Sequence, residues 1–558
     1  MNWRIQLPSG DFLDTPPGLE LQFELNNQVF STSSTSALPG SFSFPIEVPL
    51  TPLMRQQLDN PDRIDNANRI SYIEGACAYA EGVRLFPGTL KIFEVDMLRV
   101  KISLISNPVA SLKDKTLPQV DVEGTRTVAP SSWADYMKDT ANFPEDYDHA
   151  FFYVFNENGN PPFNVWDDIT EEFTVATDTI VTPFIRLKYL LERMFLPTGY
   201  QFVNNWQSNN LELGRLYVFN NVDARVINPD TPTDLLLPDS FELNKHLPPV
   251  NQAEFLKKLV AQWNLGLFTN IFEQKISLTP LKDILARAPK HDWTQYAMYN
   301  PTNVVSDAQK AAGYYNYTQP NSIPPYAPPV EDATIVNTTA EINAMLPIAE
   351  GYYYVETNSN YIQFRDPAFG DRLALCHRGV RVSDGPDYEA GMEGLFEFIS
   401  GCLWNGPYSG WIDNDGYKWE QTDFPCALMF YRGLQDCIVG ANRATLNGNG
   451  VWLDGVGAPG EKAKLITNGV VEGEASISLN WFGEFGLFEQ YHKAWSQMLR
   501  NNKHPKQTFH IPIATLTSFS FEDKVRVGNM DYFVKSIRIN KLLDRGLLQV
   551  EASMLSII

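Results

Sequence analysis

Residues 518–539, SFSFEDKVRVGNMDYFVKSIRI, read as two strands around a tight turn. Val525, Val527, Tyr532 or Phe533, Ile537 and Ile539 supply the β-branched and aromatic side chains that strands favour, and Gly528-Asn529 offers the positive φ that a short hairpin demands. Just upstream, Phe485, Phe488, Tyr491, His492, Trp495 and Leu499 recur at three- and four-residue spacing, so the segment from Phe485 to Met498 is expected to be a helix with one apolar face. That face must be buried, and the strands behind it are the expected partner. The chain therefore ends in an α+β packing unit that carries no catalytic constellation.

This ending resembles the C-terminal part of the tail-hub, or baseplate-hub, proteins of phages and prophages of Bacteroidetes-type bacteria, where a helix is followed by a strand pair of the form FDFSDKIRIGNxxYxVxxI. Two further stretches resemble the same family in the same order. LELQFELNNQVFSTSSTSALPGSFSFPIEVPLTPLMRQQLDNPDRI (Leu19–Ile64) is similar to its N-terminal block G-S-F-S-x-P-x-x-x-P-x-T-P-x-N, with Met54-Arg55 where that pattern usually carries Glu-Asn. LPPVNQAEFLKKLVAQWNLGLFTNIFEQKISLTPLKDIL and the following HDWTQY (Leu247–Tyr296) look like its helix, strand, hairpin and DWT stretch. Together the three cover about a third of the chain. The resemblance implies a structural virion protein that forms the hub at the distal end of a phage tail. It also implies a homotrimer with two tube-like β-domains per chain, partners among the tail-tube, distal-tail, tape-measure and tail-tip proteins, and a passage for DNA. Localisation is then the virion tail, after synthesis in the host cytoplasm.

At 558 residues the chain exceeds what one core supports, and three to five domains are expected. Aromatics at 13% and hydrophobic residues at 44% exclude general disorder. With 38 Pro and 35 Gly, short strands and long loops are favoured over a helical bundle, so the fold class is α+β, predominantly β, with several small β-barrel or sheet domains and packed helices. A net charge of −22 argues against specific nucleic-acid binding, which needs Lys and Arg clusters. The same field suits a conduit along which DNA slides, and equally suits plain solubility. Five cysteines at 77, 376, 402, 426 and 437 show no C-x-x-C spacing and read as reduced thiols. No export signal and no membrane-spanning stretch is legible.

Along the chain, residues 1–110 read as an N-terminal β-rich tube-like domain, a small barrel with one helix. Three consecutive strands break at Gly82 and at Asp96-Met97, and a short helix starts at Thr51-Pro52. Residues 111–245 form a mixed connecting domain. Within it Phe184, Leu187, Leu190, Leu191 and Met194 make a helical stripe capped by Thr182-Pro183 and ended by Pro197 and Gly199. Residues 246–300 are a helix-hairpin module: Phe255, Leu256, Leu259, Val260 and Trp263 share a face, Gly266 breaks the helix, and a hairpin turns at Glu273-Gln274. Residues 301–349 are a Pro- and Tyr-rich linker with low strand content. Residues 350–477 form an inserted β-rich domain projecting outward, whose clearest hairpin, SGWIDNDGYKWE, sets Trp411 against Trp419. Residues 478–558 are the C-terminal helix plus strands, packing with the hub module.

Chemistry is sparse. Asp413, Asp415 and Glu420 have part of a calcium-loop spacing, but the full ligand pattern is missing and Asp-Gly suits a turn. Glu145, Asp146, Asp148 and His149 pair carboxylates with a base, but in a Pro-flanked loop where solvated charge is the default. The histidines at 149, 246, 291, 377, 492, 504 and 510 lack metal-ligand spacing, and His492 reads as a packed residue. No catalytic, cofactor-binding or metal residue is assigned, and no cofactor is expected. The alternatives are a carbohydrate-active enzyme or sugar-binding module, needing two carboxylates across a cleft, and another tail part such as a distal-tail or receptor-binding protein.

Overall fold

The computed structural model describes most of residues 3–298 and 487–557, with gaps at 27–40, 64–70, 153–162, 175–179 and 228–234 and at scattered single positions or pairs. Between 299 and 477 it describes the backbone of separate strands and the side chains of Leu428, Phe430, Tyr431 and Ile477.

The N-terminal part runs β1 (Trp3–Gln6), β2 (Phe23–Asn26), β3 (Ser41–Ser43), β4 (Ile46–Pro49), α1 (Pro52–Gln57), β5 (Tyr72–Ala80), β6 (Val83–Val95) and β7 (Arg99–Ser106). The helix starts where the sequence places it: the Thr51 hydroxyl accepts a hydrogen bond from the Met54 amide at 3.1 Å, and Pro52 occupies the first position, where its missing N–H loses nothing. Glu81 and Gly82, with φ of 50° and 83°, turn β5 into β6. Gly88 in β6 is required for a different reason, since a Cβ there meets the Ile105 carbonyl oxygen at 2.4 Å. Gly88→Ala is therefore expected to lower stability by about 1–3 kcal/mol in urea unfolding, because backbone must move to admit the methyl.

In the middle of the chain, helix α2 (Trp133–Asn142) precedes the strand His149–Ala150. That strand pairs with Phe184–Arg186, which pairs with Leu216–Val218, which in turn pairs with Ala427–Asp436. The helix expected from Thr182-Pro183 begins later, at Leu187, and ends at Phe195. Phe184 is drawn into a strand by its two neighbours, and Thr182 instead donates its hydroxyl to the Val222 carbonyl. The stop signals act as read, with Gly199 left-handed at φ 71°.

Helix α3 (Gln252–Gln262) is capped by Asn251, whose side chain accepts from the amides of Ala253 and Glu254. Asn264, at φ 46°, terminates it, not Gly266. Gly266 lies inside the strand Leu265–Asn270, where a Cβ would strike the Phe268 ring at 2.1 Å. The hairpin to Lys275–Pro280 forms as expected, and Gln201–Asn204 adds a parallel third strand that local pattern did not foretell.

The C-terminal part holds one π-helical turn (Phe488–His492), α4 (Lys493–Arg500), β8 (Pro505–Pro512), α5 (Ile513–Thr517), β9 (Lys524–Val527), β10 (Met530–Leu543) and β11 (Leu547–Ile557). Gly528, at φ 63°, sits in the two-residue turn between Val527 and Met530, and both Tyr532 and Phe533 are buried.

The segment from β4 to β7 and the segment from β8 to β11 are one motif used twice. Each is a strand ending in proline, a short helix, and a three-stranded meander whose last strand pairs back on the first. Pro49 lies opposite Arg99, the first residue of β7, and Pro512 lies opposite Leu547, the first residue of β11. Both meanders open with a two-residue turn, Ala80 to Val83 and Val527 to Met530. Both carry an irregularity just before the second turn, at Phe93 and at Asn540. Counting from it, Ile92 corresponds to Ile539, Lys91 to Arg538 and Ile102 to Val550.

These repeats lie in one 13-stranded sheet, and β2 is the seam: it pairs with β3 on one side and with β10 on the other, Phe23 opposite Ile539 and Leu25 opposite Ile537. The barrel expected of residues 1–110 does not close; among the described residues no sheet does, because pairing passes from β7 through β3 and β2 into the second repeat. The outer edges of β1 and β8 are met by the chain itself. The Ile5 carbonyl accepts from the Leu13 amide, and the Thr508 carbonyl from Met298.

Beyond residue 300, Tyr314–Thr318, inside the stretch read as a linker, is a strand between His377–Arg381 and Asp387–Glu389. The hairpin at Gly410–Asp413 and Gly416–Trp419 is present, but its register sets Lys418 opposite Trp411 and Gly410 opposite Trp419, so the tryptophans are not the cross-strand pair expected. Further strands there, among them Tyr353–Thr357, Ala427–Asp436 and Lys462–Thr467, are described as backbone, with side chains only at Leu428, Phe430, Tyr431 and Ile477; the residues between the strands lie outside the described residues.

Candidate functional site

The sequence expectation of solvated charge at residues 145–149 holds for half the cluster. Glu145 and Asp146 are exposed, while His149 is fully enclosed on the strand His149–Ala150 and Asp148 is half-buried. Burial of Asp148 is tolerated because Arg126 pairs with one carboxylate oxygen and His149 Nδ1 lies 2.5 Å from the other. On the far side of the ring, Nε2 is 2.9 Å from the Tyr136 hydroxyl of α2. A carboxylate only accepts, so Nδ1 carries the proton, and in the neutral ring that burial favours Nε2 accepts from the tyrosine, leaving both nitrogens satisfied.

Electrostatics agrees with that assignment. Burial pushes the His149 imidazole down, against the pull of Asp148. Burial raises the Asp148 carboxyl, but the hydrogen bond from His149 and the charge of Arg126 outweigh it and hold it below the usual range. The Tyr136 phenol is pushed well up, first by burial and then by the Asp148 charge. A chain of this form can relay a proton, yet its only reactive end is a phenol that holds its proton tightly. Trp133, Phe151 and Phe241 pack edge-on or tilted around it. The arrangement acts as a clamp tying α2 to the two strands Thr125–Thr127 and His149–Ala150. Sequence reading missed Arg126 and Tyr136, since the pairing of Thr125–Thr127 with Ser240–Glu242 that fixes Arg126 has no local signal.

A second cluster joins the mid-chain and C-terminal stretches of the three that resemble one family. The expected apolar helix face is confirmed at Tyr491, His492 and Trp495, with Leu487 and Met498 also buried; Phe485 and the side chains of Phe488 and Leu499 lie outside the described residues. The π turn inserts one residue into the helical register, so the adjacent Tyr491 and His492 are both buried. Tyr491 meets Trp263 edge-on at 5.2 Å, its carbonyl accepts from the Asn264 side chain, and the Lys282 ammonium stands 4.2 Å from its ring centre. His492 donates from Nε2 to the Gln262 carbonyl at 2.9 Å, and burial lowers it to about 4, so it is a packed neutral residue as expected. On its other flank Trp495 packs on Phe533 of β10 at 5.7 Å.

The DWT stretch completes the joint. His291 and Asp292 run parallel to Val525 and Arg526, Trp293 donates its amide to the Arg526 carbonyl, and Thr294 accepts from the Gly528 amide. Asp523 takes Lys290 and His291 together at 3.0 and 3.1 Å.

Of the other singled-out residues, Asp413 is described only as strand backbone, and Asp415 and Glu420 lie outside the described residues. No group of three or more metal-ligating side chains occurs among the described residues. His246 is buried and donates from Nδ1 to the Val222 carbonyl. Cys77 is a buried free thiol, pushed up by burial; the other four cysteines lie outside the described side chains. No helix among the described residues is long and apolar enough to cross a membrane.

No protein-family model and no curated protein matches the chain. Among solved structures it is similar to the prophage MuSo2 43 kDa tail protein from Shewanella oneidensis, at 9% identity and a TM-score of 0.35, covering 99% of this chain and 98% of that one. It is also similar to the prophage tail protein gp18 from Listeria monocytogenes EGD-e, at 5% identity and a TM-score of 0.33, covering 99% and 94%. These values fall short of a shared fold.

Proposed function

We propose that this chain is a structural protein of a phage tail, forming the hub ring at the distal end of the tail tube, with three copies around a passage for DNA. The observation that carries the reading is the repeat. One chain presents the same strand–helix–meander unit twice in a single sheet, so three copies supply six like units, the number a six-fold tube requires. The blocks that resemble hub proteins support it, because they fold onto one another instead of lying in unrelated domains. The hydrogen-bonded residues around His149 serve packing, and no enzymatic role is assigned.

Native mass spectrometry and negative-stain imaging of the full chain test this directly, and the expected outcome is a closed ring of three copies. A monomer at every concentration sinks the reading. Gel-shift assays at low salt are expected to show no retained duplex DNA, since repulsion between the wall and phosphates is then least screened. Glycan hydrolysis abolished by Asp148→Asn would instead support the carbohydrate-active alternative.

A further inference from the structure

The two repeats differ in one surface that only the N-terminal one carries. At the second meander turn the C-terminal repeat has Asp544, Arg545 and Gly546, whereas the N-terminal repeat has Asp96, Met97 and Leu98. Met97 and Leu98 are 80% and 75% exposed, an adjacent apolar pair at one turn. They are held outward: the Arg55 guanidinium binds the Met97 carbonyl, and the Leu98 carbonyl accepts from Leu50. Tyr72, Phe93 and Leu53, at the same end of the meander, are also exposed. The fold does not need this apolar tip, because its counterpart in the same chain does without one.

The chain itself shows how such a face is covered. Arg538, the counterpart of Lys91, is met by the seam ahead of the N-terminal repeat: its guanidinium stands 4.5 Å from the Phe44 ring, Glu24 of β2 lies opposite it across the strands, and Glu20 pairs with Lys541. Among the described residues Lys91 meets rings of its own repeat, with its ammonium 5.4 and 4.8 Å from the exposed rings of Tyr72 and Phe93. Charge points to the occupant. Residues 1–108 hold eight Lys and Arg against twelve Asp and Glu, and residues 478–558 hold ten against seven, so the N-terminal and C-terminal parts of the chain that contain the repeats carry net charges of −4 and +3. At β1 and β8 the outer edge is met by the chain itself, so a second copy meets a side-chain face there and not a free strand edge.

We infer that the face formed by Leu53, Tyr72, Phe93, Met97 and Leu98 is the contact surface for a second copy of this chain, whose C-terminal repeat docks there head-to-tail. This rests on the proposed association of copies and adds which surfaces meet. The test uses full-length protein: the double variant Met97→Asp/Leu98→Asp, a second variant Tyr72→Ser/Phe93→Ser in case the first fails to fold, and Asp544→Ser at the matching tip of the other repeat. Thermal melts establish folding, and native mass spectrometry across a dilution series reads assembly. The expected result is that either tip variant folds and assembles about thirtyfold or more weakly, as for loss of a central apolar anchor, while Asp544→Ser assembles normally. A photoreactive residue at position 97 is expected to cross-link to residues 478–558 of another copy. Wild-type assembly matched by the folded tip variants overturns this contact while leaving the ring intact, as does a cross-link to another N-terminal repeat. Failure of the wild type to assemble overturns the ring itself.

Discussion

Lowering the pH from 7 to 4 is expected to unfold this protein, or nearly so, and the buried histidines are the reason. His246 and His492 are enclosed with one ring N–H given to a backbone carbonyl, and burial lowers them to about 3 and about 4. In the unfolded chain both titrate near 6.5. A group whose folded pKa is depressed leaves the unfolded state with more bound protons, so stability is fully present above about pH 6.5 and is lost as pH falls toward the folded value. At pH 4 each of the two has lost on the order of 3 kcal/mol, which together is comparable to the total stability of an ordinary domain. His149 acts in the same direction, and Asp148 and Asp523, both held low, add to the loss below about pH 4. Glu522, raised by burial, opposes them as a single group. Melting followed by tryptophan fluorescence at successive pH values should fall steeply from pH 6 downward, and His492→Gln should flatten part of the slope. A melting temperature level between pH 7 and 4 would show that these histidines are not held neutral.

What could be read from the sequence follows the range of the forces involved. Thr51-Pro52, Asn251 and Gly528 act through hydrogen bonds and φ values confined to a few residues, and each does what its local pattern says. Thr182-Pro183 has the same local chemistry and fails, since Phe184 and Ile185 gain partners at His149–Ala150 and Val218 that lie far off in sequence. Gly266 looked like a helix stop because glycine often is one, whereas here a packed Phe268 ring requires it. The repeat was illegible for a related reason. Its two copies share apolar positions such as Ile92 and Ile539, Val48 and Ile511, and the proline pair, but scarcely a motif, because packing asks only for shape and apolarity at those places. The clamp around His149 joins Arg126, Tyr136 and Asp148 from separate elements, and only the folded chain brings them together.

The largest structural consequence falls on the block from 350 to 477, which pattern alone suggests is an appendage. Its strand Ala427–Asp436 is instead the neighbour of Leu216–Val218, with Leu428, Phe430 and Tyr431 in the core. Tyr431 stacks on Phe152 at 4.4 Å with the rings 4° from parallel, and its hydroxyl donates to the Ala141 carbonyl at the end of α2. Tyr431→Ala removes a fully enclosed ring and leaves that carbonyl without its partner, so a loss of about 3–5 kcal/mol in urea unfolding is expected. Tyr431→Phe keeps the ring and should lose only about 1–2 kcal/mol. Deleting residues 350–477 takes the whole strand away, exposes the paired edge at Tyr217 and Val218, and empties the space against Phe152, so the deleted protein should lose cooperative unfolding altogether. If it instead melts as sharply as the full chain, this strand is an ornament on a core that stands without it, and Tyr431→Ala should then be nearly silent.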